Sequence, residues 1–297
     1  MIKNILTENL DLSNHTTIKV GGFTELFAEP KNIKQFTDLI EWSYLNNKKC
    51  QIIGAGSNLL INSKFLKGLI ICTKKMRSLR IDPYSGIVES EAGVMLPTLS
   101  NLLAKNGLQG GEWAVGIPGT VGGAIYMNAG SRDLSLANNL ISVKVINTQT
   151  LKTHEIENQD INFKYRFSSF QDNNLVIMSA KLHFKPNGDI EKLLKTTQNN
   201  LKLKTEKQPY HLPSFGSVFK NPKNNYAAQL IDEMGLKGFH IGGAEISKMH
   251  ANFIVNKSSA SAKDIFELIT VIQKKVLQRK GILLQPEVIM IGFDYPN

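Results

Sequence analysis

Residues 110–130 read GGEWAVGIPGTVGGAIYMNAG, the most distinctive stretch of the 297-residue chain. Seven of these 21 residues are glycine, against 23 glycines in the whole chain, and apolar residues lie between them. Glycine permits positive φ and lets the backbone approach a ligand closely, whereas flexible linkers of similar glycine content carry serine and charge. The pattern favours a buried loop that cradles a ligand, and two tight turns around a short core strand are the alternative.

Composition narrows the class of protein. The length of 297 residues is enough for two domains, and no apolar run approaches the ~18 residues of a membrane span. The polar N-terminus does not resemble a signal peptide, and Cys50 and Cys72 lack metal-ligand spacing, so we expect free thiols in a reducing cytoplasm. The formal charge of +10 suits phosphorylated or carboxylated small molecules. The basic residues are scattered and no recognition motif accompanies them, so no nucleic-acid partner and no membrane partner is expected.

The order of the secondary-structure signals predicts an α+β protein. Many short apolar runs broken by glycine and proline predict strands through the first 185 residues, among them 15–22, 50–53 and 59–61. A turn region is expected at 149–160. Helical periodicity predicts helices over 32–45, 96–105, 189–204, 226–234 and 261–280. The Pro186-Asn187-Gly188 turn indicates a domain boundary, which gives regions 1–186 and 187–297.

A second glycine loop, Gly54-Ala55-Gly56-Ser57-Asn58, resembles the start of a dinucleotide-binding fingerprint. The third glycine of that fingerprint is absent, and residues 59–61 predict a strand instead of the helix whose N-terminus would hold a pyrophosphate. Consecutive backbone N–H groups in such a turn can still form an anion nest. An ordinary hairpin turn is the alternative.

Three residues stand out as candidates for chemistry. Arg166 lies among aromatic residues, where a buried cation needs an anion; Ser217 follows a glycine; and Glu287 follows Pro286 at the start of an apolar strand. Taken singly, each also suits an exposed strand edge or a turn. The six histidines show no metal-binding spacing, so no metal site is expected.

Nine segments, spread along almost the whole chain, match one family in order. They are TTIKVGG (16–22), GAGSN (54–58), GIPGTVGGAIYMNAG (116–130), YR (165–166), GSVFKNP (216–222), AAQLID (227–232), LKGFHIGGAEIS (236–247), HANFIVN (250–256) and PEV (286–288). The chain resembles the bacterial UDP-N-acetylenolpyruvoylglucosamine reductases, the MurB flavoenzymes of peptidoglycan precursor synthesis. The short region between Tyr226 and His250 lacks an inserted tyrosine-bearing loop, as in the shorter, second subgroup.

This resemblance implies a fold and a set of binding residues. Residues 1–186 would form an FAD-binding region of two α+β subdomains, of the type shared with vanillyl-alcohol oxidase-like flavoproteins, and 187–297 a substrate domain. The implied FAD contacts are Gly54, Ala55, Gly56, Ser57, Asn58, Gly116, Pro118, Gly119, Thr120, Gly122, Gly123, Asn128 and Gly130. The implied substrate contacts are Tyr165, Lys207, Asn221 and His250.

The resemblance also implies a reaction. Hydride from NADPH would pass through non-covalently bound FAD to the enolpyruvyl group of UDP-N-acetylglucosamine enolpyruvate. The resulting enolate needs electrostatic stabilisation where its charge develops. Arg166 would face the substrate carboxylate, Glu287 would hydrogen-bond it, and Ser217 would donate a proton to C2. The protein would work as a cytoplasmic monomer.

Two other functions stay open. The first is another FAD-dependent oxidoreductase or oxidase on the same flavin-binding domain; many such oxidases attach FAD through histidine or cysteine, and residues 110–130 contain neither. The second is a basic binding protein without enzymatic activity, in which the three candidate residues would be incidental.

Overall fold

The computed structural model describes residues 2–131 and 133–293. The helices within these ranges are α1 Ile33–Leu45, α2 Leu96–Lys105, α3 Val121–Tyr126, α4 Ile190–Lys207, α5 Ala227–Glu233 and α6 Ala262–Lys280. The strands are β1 Leu6–Asp11, β2 Phe23–Ala28, β3 Cys50–Ile53, β4 Leu59–Ile61, β5 Leu66–Cys72, β6 Leu79–Ile81, β7 Ile87–Glu91, β8 Gly130–Ser131, β9 Leu134–Ser135, β10 Leu140–Asn147, β11 Thr153–Glu157, β12 Leu175–His183, β13 Ser214–Ser217, β14 His240–Ile241, β15 Ala244–Ile246, β16 Phe253–Asn256 and β17 Ile289–Ile291.

The chain divides into two compact units, each made of separate stretches. Unit 1 contains the residues up to Glu8 together with Leu26–Ala55 and Lys67–Lys204. Unit 2 contains Asn9–Glu25, Gly56–Leu66 and the chain from Thr205 onward. This division differs from the boundary expected after residue 186, because most of α4 packs within unit 1.

Two hydrophobic cores lie in unit 1. The five-stranded antiparallel sheet, in the order β11-β10-β12-β7-β6, packs its apolar face with α2 and α3. The four-stranded sheet β1-β2-β5-β3 packs with α1, whose Phe36, Leu39 and Ile40 are fully buried. Asn32 begins α1 because its side chain accepts a hydrogen bond from the Gln35 amide.

A single core fills unit 2. Its four-stranded sheet has the order β13-β16-β15-β14, and β4 pairs in parallel with β17. Helix α6 begins at a capping box, in which Ser261 and Asp264 satisfy each other's backbone amides, and it ends at Gly281 with φ of 67°. Its buried apolar stripe is the one predicted from the sequence; full burial of each such side chain contributes about 1.5–3 kcal/mol.

The observed elements differ from the sequence predictions in three places. Residues 15–22 are irregular, because the Thr16 hydroxyl bonds both the amide and the carbonyl of Val20 and closes a local loop. Residues 121–126 form a helix capped by Thr120, where the sequence favoured a loop and left a short core strand as the alternative. The predicted turn region at 149–160 contains strand β11, which pairs with β10. Local side-chain bonds and sheet pairing override the periodicity at these positions.

None of the helices among the described residues is long and apolar enough to cross a lipid bilayer.

Candidate functional site

The segment Gly116–Gly130, called the cradle below, runs from the end of a 3-10 helix through an extended stretch into α3. Gly122 allows α3 to pack against the chain after β7, since a Cβ at Gly122 would lie 2.8 Å from that of Ala92. The Leu96 amide donates to the Gly119 carbonyl at 2.9 Å. Pro118 and Gly123 are exposed. The cradle therefore has a packed side and a side open to a ligand.

The first-turn amides of α3 already have partners. The Val121 amide donates to the Val94 carbonyl at 2.8 Å and the Gly122 amide to the Ala92 carbonyl at 2.9 Å. The Gly123 amide donates to the Thr120 hydroxyl at 3.3 Å. A ligand on the cradle must therefore be bound by other groups than this helix terminus.

Arg166 lies in a tight turn, residues 164–167, closed by two backbone hydrogen bonds between Lys164 and Phe167. Arg166 has φ of 55°, a left-handed conformation that costs a non-glycine residue about 1–2 kcal/mol. Strain of this kind is concentrated at functional sites, where surrounding contacts hold it.

Side chains on either side of this turn fasten it to the cradle. The Asn128 amide group donates to the Lys164 carbonyl at 3.0 Å. The Ser168 hydroxyl and the Gln171 amide group both donate to the Tyr126 carbonyl, at 2.7 and 2.8 Å. These bonds fix the position of Arg166 relative to the C-terminal end of α3.

Two cations bond the two ends of the cradle. The Arg166 guanidinium donates to the Gly130 carbonyl at 3.2 Å and lies 5.0 Å from the Tyr165 ring. The Lys204 ammonium donates to the Gly116 carbonyl at 3.4 Å. Burial, followed by the positive charge of Arg166, lowers the pKa of Lys204 to about 8.

Lys204 is not among the residues predicted from the sequence, which include Lys207 on the same helix. Lys207 is exposed, whereas Lys204 is half-buried. The signal was present in the helical spacing: Thr197, Asn200 and Lys204 recur on one face of α4, and the Asn200 side chain donates to the Glu112 carbonyl at 3.1 Å. The helical spacing of Lys204 from Thr197 and Asn200 therefore indicates that it lies on the buried face of α4.

Asn128 supports the presence of a ligand at the cradle. Its side-chain oxygen is buried and has no hydrogen-bond partner among the described residues, and its φ is 43°. A buried acceptor without a partner costs about 1–3 kcal/mol. An N–H or O–H of a bound cofactor would satisfy it, so the residues present fit a polar cofactor such as a flavin.

In unit 2, Ser217 ends a strand that contains a β-bulge. The pairing of β13 with β16 shifts register between Ser214 and Ser217, and Gly216 takes φ of 81° within that shift. Bulges redirect side chains next to active sites. The half-buried Ser217 hydroxyl makes no hydrogen bond to any residue that the structure describes, so its proton is free for a ligand.

Val218 joins Ser217 to Glu287. The Val218 amide donates to the Asn252 carbonyl at 2.9 Å, and its carbonyl accepts from the Glu287 amide at 2.8 Å. The buried Asn252 side chain bonds both backbone groups of Phe219, at 3.0 and 2.9 Å. Asn252 therefore fixes the backbone beside both candidate residues, a role that the sequence did not reveal.

The loop 54–58 is tightly constrained by neighbouring chain. In unit 1, a Cβ at Gly54 would lie 2.5 Å from the Thr120 hydroxyl. In unit 2, Gly56 has φ of 68°, and a Cβ there would lie 2.0 Å from the His15 carbonyl. The amides of Gly56 and Ser57 bond no group in the described part of the chain, which is what an anion nest requires.

Three predicted contacts also have structural partners in unit 2. The Asn58 side chain donates to the Glu287 carbonyl at 3.0 Å, and Asn221 accepts the Ala227 amide at 3.0 Å. Nδ1 of His250 accepts the Asn252 amide at 3.3 Å. Burial, then the charge of Lys237, lowers the pKa of His250, so its ring is neutral at pH 7.

The predicted residues fall into two groups that are described separately. Unit 1 brings together Gly116, Pro118, Gly119, Thr120, Gly122, Gly123, Asn128, Gly130, Tyr165 and Arg166 and also contains Gly54 and Ala55. Unit 2 contains Gly56, Ser57, Asn58, Lys207, Ser217, Asn221, His250 and Glu287. Arg166 thus belongs to unit 1, and the pair Ser217 and Glu287 to unit 2.

Comparisons with known proteins cover both units. A family model described as UDP-N-acetylenolpyruvoylglucosamine reductase, C-terminal domain, matches residues 208–291, and one described as FAD binding domain matches residues 24–152. The UDP-N-acetylenolpyruvoylglucosamine reductase of Prochlorococcus marinus subsp. pastoris is 72% identical over 99% of this chain and 100% of its own length. The protein of the same description from Prochlorococcus marinus strain MIT 9313 is 46% identical over 99% of this chain and 96% of its own.

One solved structure is similar over nearly the full length. The UDP-N-acetylenolpyruvylglucosamine reductase (MurB) from Thermus caldophilus gives a TM-score of 0.80 at 30% identity, covering 95% of this chain and 97% of that one.

Proposed function

The chain belongs to the family of UDP-N-acetylenolpyruvoylglucosamine reductases, and we propose that Arg166, Ser217 and Glu287 carry out its chemistry. It is an FAD-containing oxidoreductase that reduces UDP-N-acetylglucosamine enolpyruvate to UDP-N-acetylmuramate with NADPH, in peptidoglycan precursor synthesis. The observation that carries this conclusion is the 72% identity over 99% of the chain, together with the flavin-domain match.

The cradle is the proposed FAD site. Bound FAD supplies a relay that accepts hydride from NADPH and returns it to the enolpyruvyl double bond. Asn128 would give the cofactor its unpartnered side-chain oxygen, and the exposed surface at Gly123 would allow close approach. The unpaired amides of Gly56 and Ser57 suit a phosphate.

Arg166 would stabilise negative charge on the substrate. Its guanidinium is held by the Gly130 carbonyl and the Tyr165 ring, so it needs little rearrangement when charge develops on the enolate and carboxylate. A fixed cation at that position is worth most where water is excluded. Tyr165, which is exposed, would contact the substrate on the same turn.

Ser217 would donate the proton to C2, and Glu287 would hydrogen-bond the carboxylate. A serine hydroxyl is a weak acid, but an enolate carbon is basic enough to take its proton. The free hydroxyl after the bulge supports this role. The backbone link through Val218 supports a common role for the two residues. Lys207, Asn221 and His250 would contribute further substrate contacts.

The same proposal includes the setting of the enzyme. We expect a cytoplasmic monomer that acts on small molecules and not on nucleic acid or membranes. Its flavin-binding region at 1–186 and substrate region at 187–297 are functional regions whose bounds differ from those of the two compact units. The scattered positive charge supports ligands that all carry phosphates.

The activity is tested first by colour and turnover. Purified protein should be yellow and release FAD on denaturation, and NADPH oxidation should depend on UDP-N-acetylglucosamine enolpyruvate. Colourless protein that FAD cannot reconstitute would contradict any flavoenzyme function. Flavin that NADPH reduces but only oxygen reoxidises would indicate an oxidase instead.

The role of Ser217 is tested by separating the two half-reactions. In Ser217→Ala, flavin reduction by NADPH should stay within about twofold of wild type, while reoxidation by the enolpyruvyl substrate should fall about 10²- to 10⁴-fold, the usual contribution of a general acid. Stopped-flow absorbance of the flavin measures both steps. Ser214→Ala, on the same strand, is the matched control and should affect neither. Equal losses in both half-reactions would exclude Ser217 as the proton donor.

A further inference from the structure

Lys204 is a half-buried cation with no acidic partner in the part of the chain that the structure describes. Its only hydrogen bond among the described residues is the long one, 3.4 Å, to the Gly116 carbonyl. Helix α4 holds it there, because Asn200, one turn earlier, donates to the Glu112 carbonyl. An ammonium group removed from water and bonded to one neutral carbonyl is poorly compensated.

The charges around Lys204 increase this deficit. The charged group that faces it from the 164–167 turn is Arg166, and like charges disfavour each other. From the 3-10 helix packed against α4, the nearest acid is Glu112, whose carboxylate accepts the Gly110 amide at 3.0 Å. Among the described residues, no carboxylate contributes to the pKa of Lys204. An anion beside Lys204 would offset this deficit.

The position of the two cations defines where such an anion would bind. Arg166 bonds the Gly130 end of the cradle and Lys204 the Gly116 end. Between these ends the cradle exposes Pro118 and Gly123. Residues 116–130 contain no acidic side chain that could neutralise Lys204.

We propose that Lys204 is a ligand-binding residue of the cradle and that, with Arg166, it binds a phosphate or carboxylate group of a ligand. The identity of that ligand rests on the proposed function, since FAD, NADPH and the UDP-sugar substrate all carry phosphates and the substrate also carries a carboxylate. A positive charge can bind any of these phosphate or carboxylate groups, so the experiment determines which of the three molecules provides the group.

The test compares Lys204→Met, which removes the charge, with Lys204→Arg, which retains it, and with Lys195→Met, an exposed lysine of α4. Calorimetric titrations of the FAD-loaded protein use NADP⁺, UDP-N-acetylglucosamine and its enolpyruvyl ether, and FAD content is measured separately. Lys204→Met should weaken at least one ligand about 10- to 100-fold, the value of a charge-assisted hydrogen bond. Lys204→Arg should stay within about threefold.

The pattern of losses identifies the anion. Weaker binding of both UDP-sugars indicates the diphosphate, a loss confined to the enolpyruvyl ether indicates the carboxylate, and a loss for NADP⁺ or FAD indicates the dinucleotide. Unchanged affinity for all four in Lys204→Met, or equal losses in Lys204→Met and Lys204→Arg, would overturn the proposal.

A pH series adds a readout that a structural role would not produce. Lys204 is charged below about pH 8 and neutral above it, so wild-type affinity for the ligand should fall as pH rises through 8 and beyond, while Lys204→Arg stays flat. Absence of this difference would also count against the proposal.

The binding test is independent of turnover. Inorganic pyrophosphate, titrated into the purified protein, should bind Lys204→Met about tenfold more weakly than Lys195→Met. If pyrophosphate binds as expected but no reductase activity is found, the anion site stands and the proposed function fails. If the reductase is active and Lys204→Met changes the affinity for none of the ligands, the proposed function stands and the anion site fails.

Discussion

Arg166 in unit 1 and Ser217 in unit 2 are held in different ways. Arg166 lies in a turn with φ of 55°, fastened to a glycine-rich segment by side-chain hydrogen bonds. Ser217 ends a strand beside Val218, whose backbone bonds both Asn252 and Glu287. The unit 1 site adds a positive-φ turn and close glycine packing to its hydrogen bonds, whereas the unit 2 site depends on a chain of buried hydrogen bonds. Substitutions should therefore act through sterics in one and through unsatisfied polar groups in the other.

The strongest test of this contrast is Asn252→Ala in unit 2. It leaves the buried amide and carbonyl of Phe219 without their side-chain partner, at about 1–3 kcal/mol for each group. The free energy of unfolding in urea should fall by about 2–6 kcal/mol in total. Asn199→Ala, exposed on α4, is the control. If Asn252→Ala lowers the free energy of unfolding no more than the control does, the Asn252 side chain does not stabilise the backbone at Phe219.

A smaller effect is expected for Gly54→Ala in unit 1. The new Cβ would lie 2.5 Å from the Thr120 hydroxyl, and overpacking of this kind costs about 1–3 kcal/mol. The stability cost of Gly54→Ala should be smaller in a Thr120→Ala background, where the clashing hydroxyl is gone. Thr120→Ala by itself removes a helix cap worth about 1 kcal/mol. A double-mutant cycle in urea measures the coupling. Strictly additive losses would contradict a steric origin.

The smallest expected effect is the difference in stability between glycine and alanine variants at positions 166 and 217, which should have opposite signs. Because Arg166 has positive φ, Arg166→Gly should be more stable than Arg166→Ala by about 1 kcal/mol. At Ser217, in a strand, Ser217→Gly should be less stable than Ser217→Ala by about 0.5–1 kcal/mol. Thermal unfolding midpoints of the four variants show whether the preference reverses. The same sign at both positions would remove the distinction between the two sites.

Most of the helices could be predicted from the sequence. Helices α1, α2 and α6 have apolar spacing, N-terminal caps or terminal glycines, and each was predicted to within a residue at most ends. The strands whose pairing is set by distant chain were harder. Strand β11 looked like a turn region because its residues alternate weakly, and only pairing with β10 makes it a strand.

The site was predictable where the sequence itself is unusual. Glycine density marked the cradle, and Arg166 stood out as a cation among aromatic residues. Asn252 and Lys204 gave no such signal. An asparagine directly before an apolar strand and a lysine in a lysine-rich helix are ordinary until their neighbours are known. Those neighbours, Phe219 and Gly116, are 33 and 88 residues away.

Unit 2 is assembled from pieces made at very different times. Strand β4 pairs with β17, and beside this pair the Asn58 side chain reaches a Glu287 carbonyl 229 residues later. At ribosomal rates of about 5–20 residues per second, β4 waits on the order of 10–50 s for its partner. All of unit 1 lies before Thr205 and is complete by then. The nascent chain can therefore fold unit 1 while residues 9–25 and 56–66 of unit 2 still lack their C-terminal partners, which makes these two stretches the ones that need protection during synthesis.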